Sequence, residues 1–244
     1  MPSRVALITN VCEYAGPGAL EALIADGLEV VAHDRQFADA DAAAVFRDQH
    51  PGVLVTAVAD ADELARFVLD ERGRVDVLVS NDVVARSRYR LADASVELFR
   101  STLDALVVWP FRLAQLLAPQ MQERRSGSMI FITSAAAART GEGSLMYGAA
   151  RAATTSMATA LAKELGPFGI QVNSIGPNFF ENPTYFPPGR VEGNRGLQSV
   201  IATQVPLRRL GRQDEMGALI SLLASGKALP MTGQFISFSG GWYP

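Results

Sequence analysis

Cysteine, histidine and long apolar runs are scarce in this 244-residue chain, and each scarcity excludes a class of protein. The single cysteine, Cys12, excludes an intrachain disulfide framework and fits a reducing compartment. The two histidines, His33 and His50, are too few for a three-histidine metal site and have no ligand spacing with Cys12, so we expect no metal. No apolar run approaches the roughly 20 residues that span a bilayer, and the run near the N-terminus is too short for a signal peptide. We therefore expect a cytoplasmic protein with no membrane partner.

The chain also lacks an excess of positively charged residues. Lysine and arginine number 22 against 25 acidic residues, which gives a net charge of −3. Such a chain offers no positive field to a phosphate backbone, so we expect no nucleic-acid partner. The one basic stretch, residues 86–90 (RSRYR), is interpreted as a solvated loop. With 48% hydrophobic residues at this length, residues 1–244 are expected to form a single compact domain.

Short β-branched runs alternate along the chain with longer stretches of helical apolar spacing. The predicted strands are residues 5–9, 29–33, 53–58, 75–80, 129–133, 171–175 and 234–238. The predicted helices are residues 18–26, 39–50, 60–72, 95–124, 144–165 and 213–224. Continuously apolar strands are typical of a parallel sheet that is covered by helices on both faces. The pattern predicts an α/β fold, a Rossmann-like doubly wound parallel sheet of seven strands.

Ligands of such sheets bind at the carboxyl ends of the strands, near the point where the strand order reverses. The segments that follow strands one, four, five and six are therefore the candidates for a site. The last of these, residues 177–196, is rich in proline and aromatic residues. An irregular segment of that length is usually functional, so we predict an active-site loop here, with a plain hydrophobic lid as the alternative.

A serine, a tyrosine and an arginine follow the fifth strand. Ser134 comes directly after the strand, and Tyr147 and Arg151 lie four residues apart on one face of the next helix. A tyrosine hydroxyl is a poor base near neutral pH until a fixed positive charge favours its phenolate, and arginine supplies only charge and donors. The pattern indicates that Tyr147 exchanges a proton beside Arg151 while Ser134 holds a substrate oxygen. A solvent-facing pair on an amphipathic helix is the alternative.

Asp82 directly follows the fourth strand. It is a candidate proton relay, which either accepts a hydrogen bond from Arg151 or leads the proton to solvent. A simple strand-end cap is the alternative.

Over essentially its whole length, the chain resembles the short-chain dehydrogenases/reductases. The matching segments are VLVSN at 77–81, ITS at 132–134, YGAAR at 147–151, VNSI at 172–175 and the glycine pair at 240–241. Three departures oppose the family's NAD(P)H chemistry. Tyr14 stands in the turn where a glycine lets the backbone approach a pyrophosphate, and Glu13 adds a negative charge. Arg151 replaces a lysine, and the sequence GPNFF at 176–180 brings bulky rings to the nicotinamide position.

The joint pattern of T-x4-Y-x-G from Thr9 and S-x12-Y-x3-R from Ser134 resembles the halohydrin dehalogenases. That resemblance implies that the serine binds the substrate hydroxyl, the tyrosine removes its proton, the arginine tunes the tyrosine, and the former nicotinamide pocket receives a halide. The implied halide-binding residues are Tyr14, Pro177, Asn178, Phe179, Phe180 and Phe186. In this pocket we expect the backbone N–H groups of Phe179 and Phe180 and the side-chain amide of Asn178 to be donors.

The same resemblance implies an enzyme without a cofactor that converts haloalcohols to epoxides and opens epoxides with halide, azide, cyanide or nitrite. It also implies a homotetramer in which the helices that begin near Ser95 and Ser144 pair across subunits, and a C-terminal segment, residues 241–244, that reaches a neighbouring active site.

Two other functions stay open. Asp34 follows the second strand, where a ribose-binding acid is expected, and this favours an NAD(P)H-dependent carbonyl reductase or alcohol dehydrogenase. A catalytically inactive sensor or scaffold protein on the same fold is the other, although the intact Ser134 and Tyr147 oppose it.

Overall fold

The computed structural model describes residues 3–85 and 88–244. Arg86 and Ser87 of the basic stretch lie outside the described residues, whereas Arg88 and Arg90 are exposed, as expected for a solvated loop. No helix in the described part of the chain is long and apolar enough to cross a membrane.

All seven strands join one sheet, in the order β3-β2-β1-β4-β5-β6-β7, and every neighbouring pair is parallel. The strands are β1 (Val5–Ile8), β2 (Glu29–His33), β3 (Leu54–Thr56), β4 (Val77–Ser80), β5 (Gly127–Ile132), β6 (Ile170–Pro177) and β7 (Phe235–Phe238). The predicted doubly wound α/β fold is confirmed.

The central strands are buried on both faces because their side chains are apolar without interruption. Ile8 and Val79 pack into the apolar layer on one side of the sheet, while their neighbours Leu7 and Leu78 pack into the layer on the other. Each layer is completed by helices. These are α1 (Gly16–Ala25), α2 (Ala40–Gln49), α3 (Ala61–Arg72), α4 (Val96–Leu103), α5 (Trp109–Arg124), α6 (Leu145–Leu165), α7 (Arg195–Gln204) and α8 (Gln213–Ala224).

The helix predicted over residues 95–124 is helical from Val96 to Arg124 but is not α-helical throughout. A π-helical segment, Asp104–Val108, separates α4 from α5. The physical reason is Pro110, which has no N–H to offer to the Leu106 carbonyl four residues earlier. The Thr154 hydroxyl on α6 donates to that carbonyl at 2.6 Å instead, so the interruption also joins the two helices to α6.

Helix α7 was absent from the predicted elements, and the predicted irregular loop is shorter at its end than expected. The irregular segment runs from the end of β6 to Asn194, whose side-chain oxygen accepts from the Leu197 N–H at 2.9 Å and begins α7. Within the segment, Phe180 pairs with Gly211 and Asn182 pairs with Phe186 as isolated bridges.

Helices α1 and α8 approach so closely that two glycines meet between them. A Cβ on Gly217 would lie 2.4 Å from the Gly18 carbonyl oxygen, and a Cβ on Gly18 would lie 2.3 Å from the Gln213 carbonyl oxygen. These contacts are with rigid backbone, so a side chain here forces the helices apart. The same approach sets α1 against the sheet directly after the turn that carries Tyr14.

Gly217→Ala is therefore expected to lower the free energy of unfolding by about 1–3 kcal/mol, the usual cost of overpacking a close contact. Urea titration measures the loss. Gly166→Ala is the matched control, since a Cβ there meets nothing within 4 Å. Equal urea midpoints for the two variants would show that separating α1 from α8 does not reduce the stability of the protein.

Candidate active site

Ser134 lies at the carboxyl end of β5 and is buried, with 7% of its surface exposed. Its Oγ accepts from the Ala136 N–H at 3.1 Å and so begins a short 3₁₀ turn. The same hydroxyl lies 3.5 Å from the Pro177 carbonyl oxygen, to which it can donate. The serine is thereby fixed between the ends of β5 and β6.

Tyr147 and Arg151 lie on α6, and Arg151 is almost completely buried, with 1% of its surface exposed. The guanidinium donates through Nη1 to the Ile132 carbonyl at 2.9 Å and through Nη2 to the Asp82 carbonyl at 2.7 Å. Its Cζ lies 5.1 Å from the centre of the Tyr147 ring. Arginine thus bridges the ends of two strands and places a positive charge against the tyrosine.

The Arg151 guanidinium remains charged in this setting. Burial alone would lower the pKa of Arg151, but the hydroxyls of Tyr147, Tyr185 and Tyr14 raise it, and the net shift is upward. Burial and the neighbouring Tyr147 raise the pKa of Tyr185, against the opposing effect of Arg151. The Tyr185 hydroxyl donates to the Val84 carbonyl at 2.9 Å.

Ser134 and Tyr147 open onto a cavity of about 410 Å³. The lining includes all six residues predicted to bind halide: Tyr14, Pro177, Asn178, Phe179, Phe180 and Phe186. Arg151 lies behind the wall, and Asp82 lines a different opening. The fold therefore brings the serine, the tyrosine and the aromatic loop to one cavity at the carboxyl edge of the sheet.

The donors at the loop end of the cavity differ from the expected set. The Phe179 N–H is already engaged, because it donates to the Asn178 Oδ1 at 3.0 Å. Phe179 has a left-handed backbone, with φ of 48°. The Asn178 Nδ2 and the Phe180 N–H have no hydrogen-bond partner among the residues that the structure describes. These two groups, and not the Phe179 N–H, are the free donors.

The turn after β1 does not fit the pyrophosphate of a dinucleotide. Tyr14 is 4% exposed, and its ring lies 5.0 Å from the Tyr185 ring and 5.9 Å from the Phe180 ring, between centroids. The Tyr14 N–H donates to the Thr184 hydroxyl at 2.8 Å, and the Thr184 hydroxyl donates to the Glu13 carboxylate. The backbone N–H that would meet a phosphate thus bonds to the aromatic loop, and an aromatic ring occupies the space.

The family model described as Enoyl-(Acyl carrier protein) reductase matches residues 16–243. A solved structure named "Dehalogenation enzyme" is 40% identical, with a TM-score of 0.93 and coverage of 99% of this chain and 98% of its own. Halohydrin dehalogenase HheC, solved with ethyl (2S)-oxiran-2-ylacetate, is 35% identical, with a TM-score of 0.94 and coverage of 97% and 96%. The chain belongs to the short-chain dehydrogenase/reductase superfamily.

Within this superfamily, the predicted resemblance to the halohydrin dehalogenases is confirmed. Curated relatives include 3-oxoacyl-(acyl-carrier-protein) reductase FabG of Thermotoga maritima, which is 28% identical over 99% of this chain and 98% of its own length. The chain is thus an enzyme of the superfamily whose solved neighbours include dehalogenases.

Asp34 stands where short-chain dehydrogenases/reductases hold a ribose, but its carboxylate is already engaged. Oδ2 accepts from the Cys12 N–H at 3.0 Å, and Oδ1 accepts from the Gln36 N–H at 3.0 Å. The residue is buried and joins the turn after β1 to the turn after β2. This observation weakens the evidence that Asp34 gave for a dinucleotide.

Asp82 accepts a hydrogen bond from Arg151, as one of the predicted alternatives had it, and it does so through its backbone carbonyl. The carboxylate instead accepts from the hydroxyls of Ser80 and of Thr9, the latter at 3.2 Å. Burial raises the pKa of Asp82 to about 6, while Ser80, Arg151 and Thr9 oppose that shift. The opening that Asp82 lines does not include Tyr147 or Ser134.

Sequence reasoning gave no role to several residues of the cavity. Tyr185 was noted only as part of the aromatic loop, yet its ring contacts both Tyr14 and Tyr147. Trp242 also lines this cavity, and the expected reach of the C-terminal segment into a neighbouring active site stays a prediction. Arg139 and Arg190 also lie in the lining, and nothing in their local sequence marks them. Among the described residues, no three histidine, cysteine, aspartate or glutamate side chains cluster as metal ligands.

Asp82→Asn is expected to change how stability depends on pH. Between about pH 4 and pH 6 the Asp82 carboxyl is protonated in the folded state but ionised in the unfolded state. Proton binding therefore stabilises the folded protein in acid, and this stabilisation is lost as pH rises through about 6. Between pH 4 and 7 the wild type should lose about 3 kcal/mol relative to the variant, at ~1.4 kcal/mol per pKa unit. Urea unfolding at both pH values measures this difference.

Asp70→Asn is the control for that experiment because Asp70 is an exposed aspartate. Its difference from the wild type at the two pH values gives the background effect of removing one surface carboxylate. A constant difference for Asp82→Asn would contradict the raised pKa.

Proposed function

We propose that this chain is a cofactor-independent halohydrin dehalogenase, which converts vicinal haloalcohols to epoxides and releases halide. The observation that supports this most strongly is the shared cavity. Ser134 and Tyr147, with Arg151 behind the tyrosine, face the same 410 Å³ space as Asn178, while Tyr14 fills the turn needed for a pyrophosphate.

In the proposed reaction, the substrate hydroxyl binds between Ser134 and Tyr147. Tyr147 takes the hydroxyl proton, favoured by the fixed charge of Arg151 beside its ring. The forming alkoxide attacks the adjacent carbon, the carbon–halogen bond breaks, and the epoxide C–O bond forms. Because nucleophile and leaving group belong to one molecule, the enzyme has only to align them and to stabilise charge at both ends.

The halide leaves towards the aromatic loop. A halide is large and weakly hydrated, so neutral donors and the positive edges of aromatic rings in a dry pocket suit it. The free Asn178 Nδ2 and Phe180 N–H supply such donors beside the rings of Tyr14 and Phe186. Run backwards, a small anion at the same place, which includes azide, cyanide and nitrite, opens an epoxide while Tyr147 returns the proton.

The proposal extends to Asp82 as the route by which the proton reaches solvent. Its carbonyl holds Arg151, and its buried carboxyl, with a pKa near 6, lines a second opening in the molecule. Its hydrogen bonds to Ser80 and Thr9 equally support the alternative of a strand-end cap.

The homotetramer stays a prediction from the resemblance. Exposed apolar side chains on and beside the helices expected to pair are compatible with it: Val96 is 58% exposed and Leu145 is 52% exposed. The expected absence of nucleic-acid and membrane partners likewise stays a prediction.

An NAD(P)H-dependent carbonyl reductase is the second candidate function, favoured by the reductase family model and the FabG relative. The Ser-Tyr pair serves both reactions. Tyr14 in the turn and the engaged Asp34 oppose the reductase. A titration of NADH fluorescence with the purified protein separates the two, since only a reductase should bind NADH.

Tyr147→Phe is expected to reduce bromide release from 1-bromo-2-propanol, assayed without a cofactor, to below about a hundredth of the wild-type rate. The ring still packs, but the proton acceptor is lost, and general-base catalysis is typically worth 10²–10⁴-fold. Tyr243→Phe is the matched control, because that ring packs on Phe235 at 6.1 Å outside the cavity lining. Near-normal bromide release from Tyr147→Phe would exclude Tyr147 as the base.

Asn178→Asp is expected to reduce dehalogenation by orders of magnitude and to abolish bromide inhibition of epoxide opening by azide. The new carboxylate still accepts from the Phe179 N–H but replaces the free Nδ2 donor with a like charge. Repulsion in a poorly screened cavity costs on the order of several kcal/mol.

Asn194→Asp is the matched control for Asn178→Asp. Asn194 lines the same cavity, and its Oδ1 likewise accepts a backbone N–H, at 2.9 Å from Leu197. Unchanged bromide inhibition in Asn178→Asp would place the halide elsewhere. An equal loss in both variants would show that the effect comes from any negative charge in the cavity.

A further inference from the structure

The rim of the cavity carries positive charge that the proposed reaction does not use. Its described lining includes the guanidinium groups of Arg88, Arg139 and Arg190, and no aspartate or glutamate. None of the three arginines forms an ion pair within residues 3–85 and 88–244. In a chain with a net charge of −3, three unpaired cations around one opening indicate an anionic ligand.

Two of these arginines are held in place by the protein. Arg139 donates through Nη1 to the Trp242 carbonyl at 2.6 Å, and its Cζ lies 4.4 Å from the Trp242 ring centre. Arg190 donates through Nη1 to the Tyr185 carbonyl at 2.7 Å, and its Cζ lies 5.8 Å from the Phe186 ring centre. In both, the remaining guanidinium nitrogens have no partner in the described part of the protein, so each keeps free donors.

A row of three aromatic rings joins these two arginines. Trp242 lies 5.8 Å from Phe179, and Phe179 lies 5.9 Å from Phe186, between ring centroids. Arg139 covers one end of the row and Arg190 covers the other. The guanidinium groups are therefore oriented by rigid ring faces, which is how arginine is prepared for planar recognition of an oxyanion.

Trp242 contributes a ring face to the same wall but no donor. Its indole Nε1 has no hydrogen-bond partner among the residues that the structure describes, and it is so fully buried that a ligand in the cavity cannot reach it. A ligand at this wall is therefore held by the free guanidinium nitrogens of the arginines.

We propose that Arg139 and Arg190 make the rim of the cavity a carboxylate subsite, where either guanidinium can pair with the ligand, so that the preferred substrates are haloalcohols or epoxides that carry a carboxylate. This inference rests on the proposed dehalogenase function. A carboxylate has two oxygens in a plane and matches the guanidinium fork, whereas a spherical halide does not. The reacting hydroxyl then lies at Ser134 and Tyr147, and the carboxylate lies at the rim.

The test compares 4-bromo-3-hydroxybutanoate with its methyl ester at low ionic strength. Bromide release should show a kcat/KM at least tenfold higher for the acid than for the ester. Arg139→Gln and Arg190→Gln should each reduce this acid-to-ester ratio at least fivefold, mainly through KM for the acid. Arg47→Gln, which removes an exposed arginine outside the cavity lining, is the control and should keep the ratio.

A binding experiment tests the carboxylate subsite without catalytic turnover. Calorimetry should detect 3-hydroxybutanoate bound to the wild type, with weaker binding to Arg139→Gln and to Arg190→Gln, and no comparable binding of its methyl ester. Circular dichroism verifies that each variant is folded. Equal binding of acid and ester by the wild type would overturn the subsite.

The outcomes separate the two proposals. If bromide is released from acid and ester with equal efficiency, the dehalogenase stands and the carboxylate subsite is wrong. If no bromide is released from either compound, the proposed dehalogenase function is wrong, and only the calorimetry tests the carboxylate subsite. If the arginine variants weaken azide opening of a neutral epoxide as much as that of 3,4-epoxybutanoate, the arginines attract inorganic anions, and the carboxylate subsite is overturned.

Discussion

Arg151 carries its positive charge where only 1% of the side chain meets solvent, and the rest of the site is arranged around that charge. A buried ion without compensation costs several kcal/mol. Here the carbonyls of Ile132 and Asp82 compensate it, and the hydroxyls of the neighbouring tyrosines favour it further. Because the Ile132 carbonyl ends β5 and the Asp82 carbonyl follows β4, the same two bonds fix α6, and with it Tyr147, against the carboxyl edge of the sheet.

The second constraint is the contact between the turn after β1 and the aromatic loop. Tyr14 and Phe179 both have left-handed backbones, with φ of 45° and 48°. Such a conformation costs roughly 1–2 kcal/mol for a residue with a side chain, so it persists only where surrounding contacts enforce it. The Thr184 hydroxyl and the Gln213 amide hold Tyr14 from two sides. These contacts turn the open groove of a dinucleotide fold into a small cavity walled by rings.

The sheet, its order of elements and the positions of Ser134 and Tyr147 could be predicted from the sequence, because buried strands and helical spacing are local patterns. The π-helical segment before Pro110 was not predicted, although the missing N–H is a property of proline itself. Other features of the site could not be predicted from the sequence. The acceptors of Arg151 are backbone carbonyls, which have no sequence signal, and the Asn178 bond to the Phe179 N–H depends on a left-handed residue. Trp242 reaches its own cavity because β7 pairs in parallel beside β6.

In the proposed reaction, the placement of full charges also explains how a product anion can leave. A guanidinium in direct contact with the halide would hold it strongly, since charge-assisted hydrogen bonds are about twice as strong as neutral ones. The free donors at the loop end are instead neutral, the Asn178 amide and the Phe180 N–H. Arg151 lies behind Tyr147, where charge is needed for proton abstraction, and Arg139 and Arg190 lie with Trp242 and Phe186. A halide that forms between these charged groups is attracted from both sides but paired to neither, so its release does not require an ion pair to be broken.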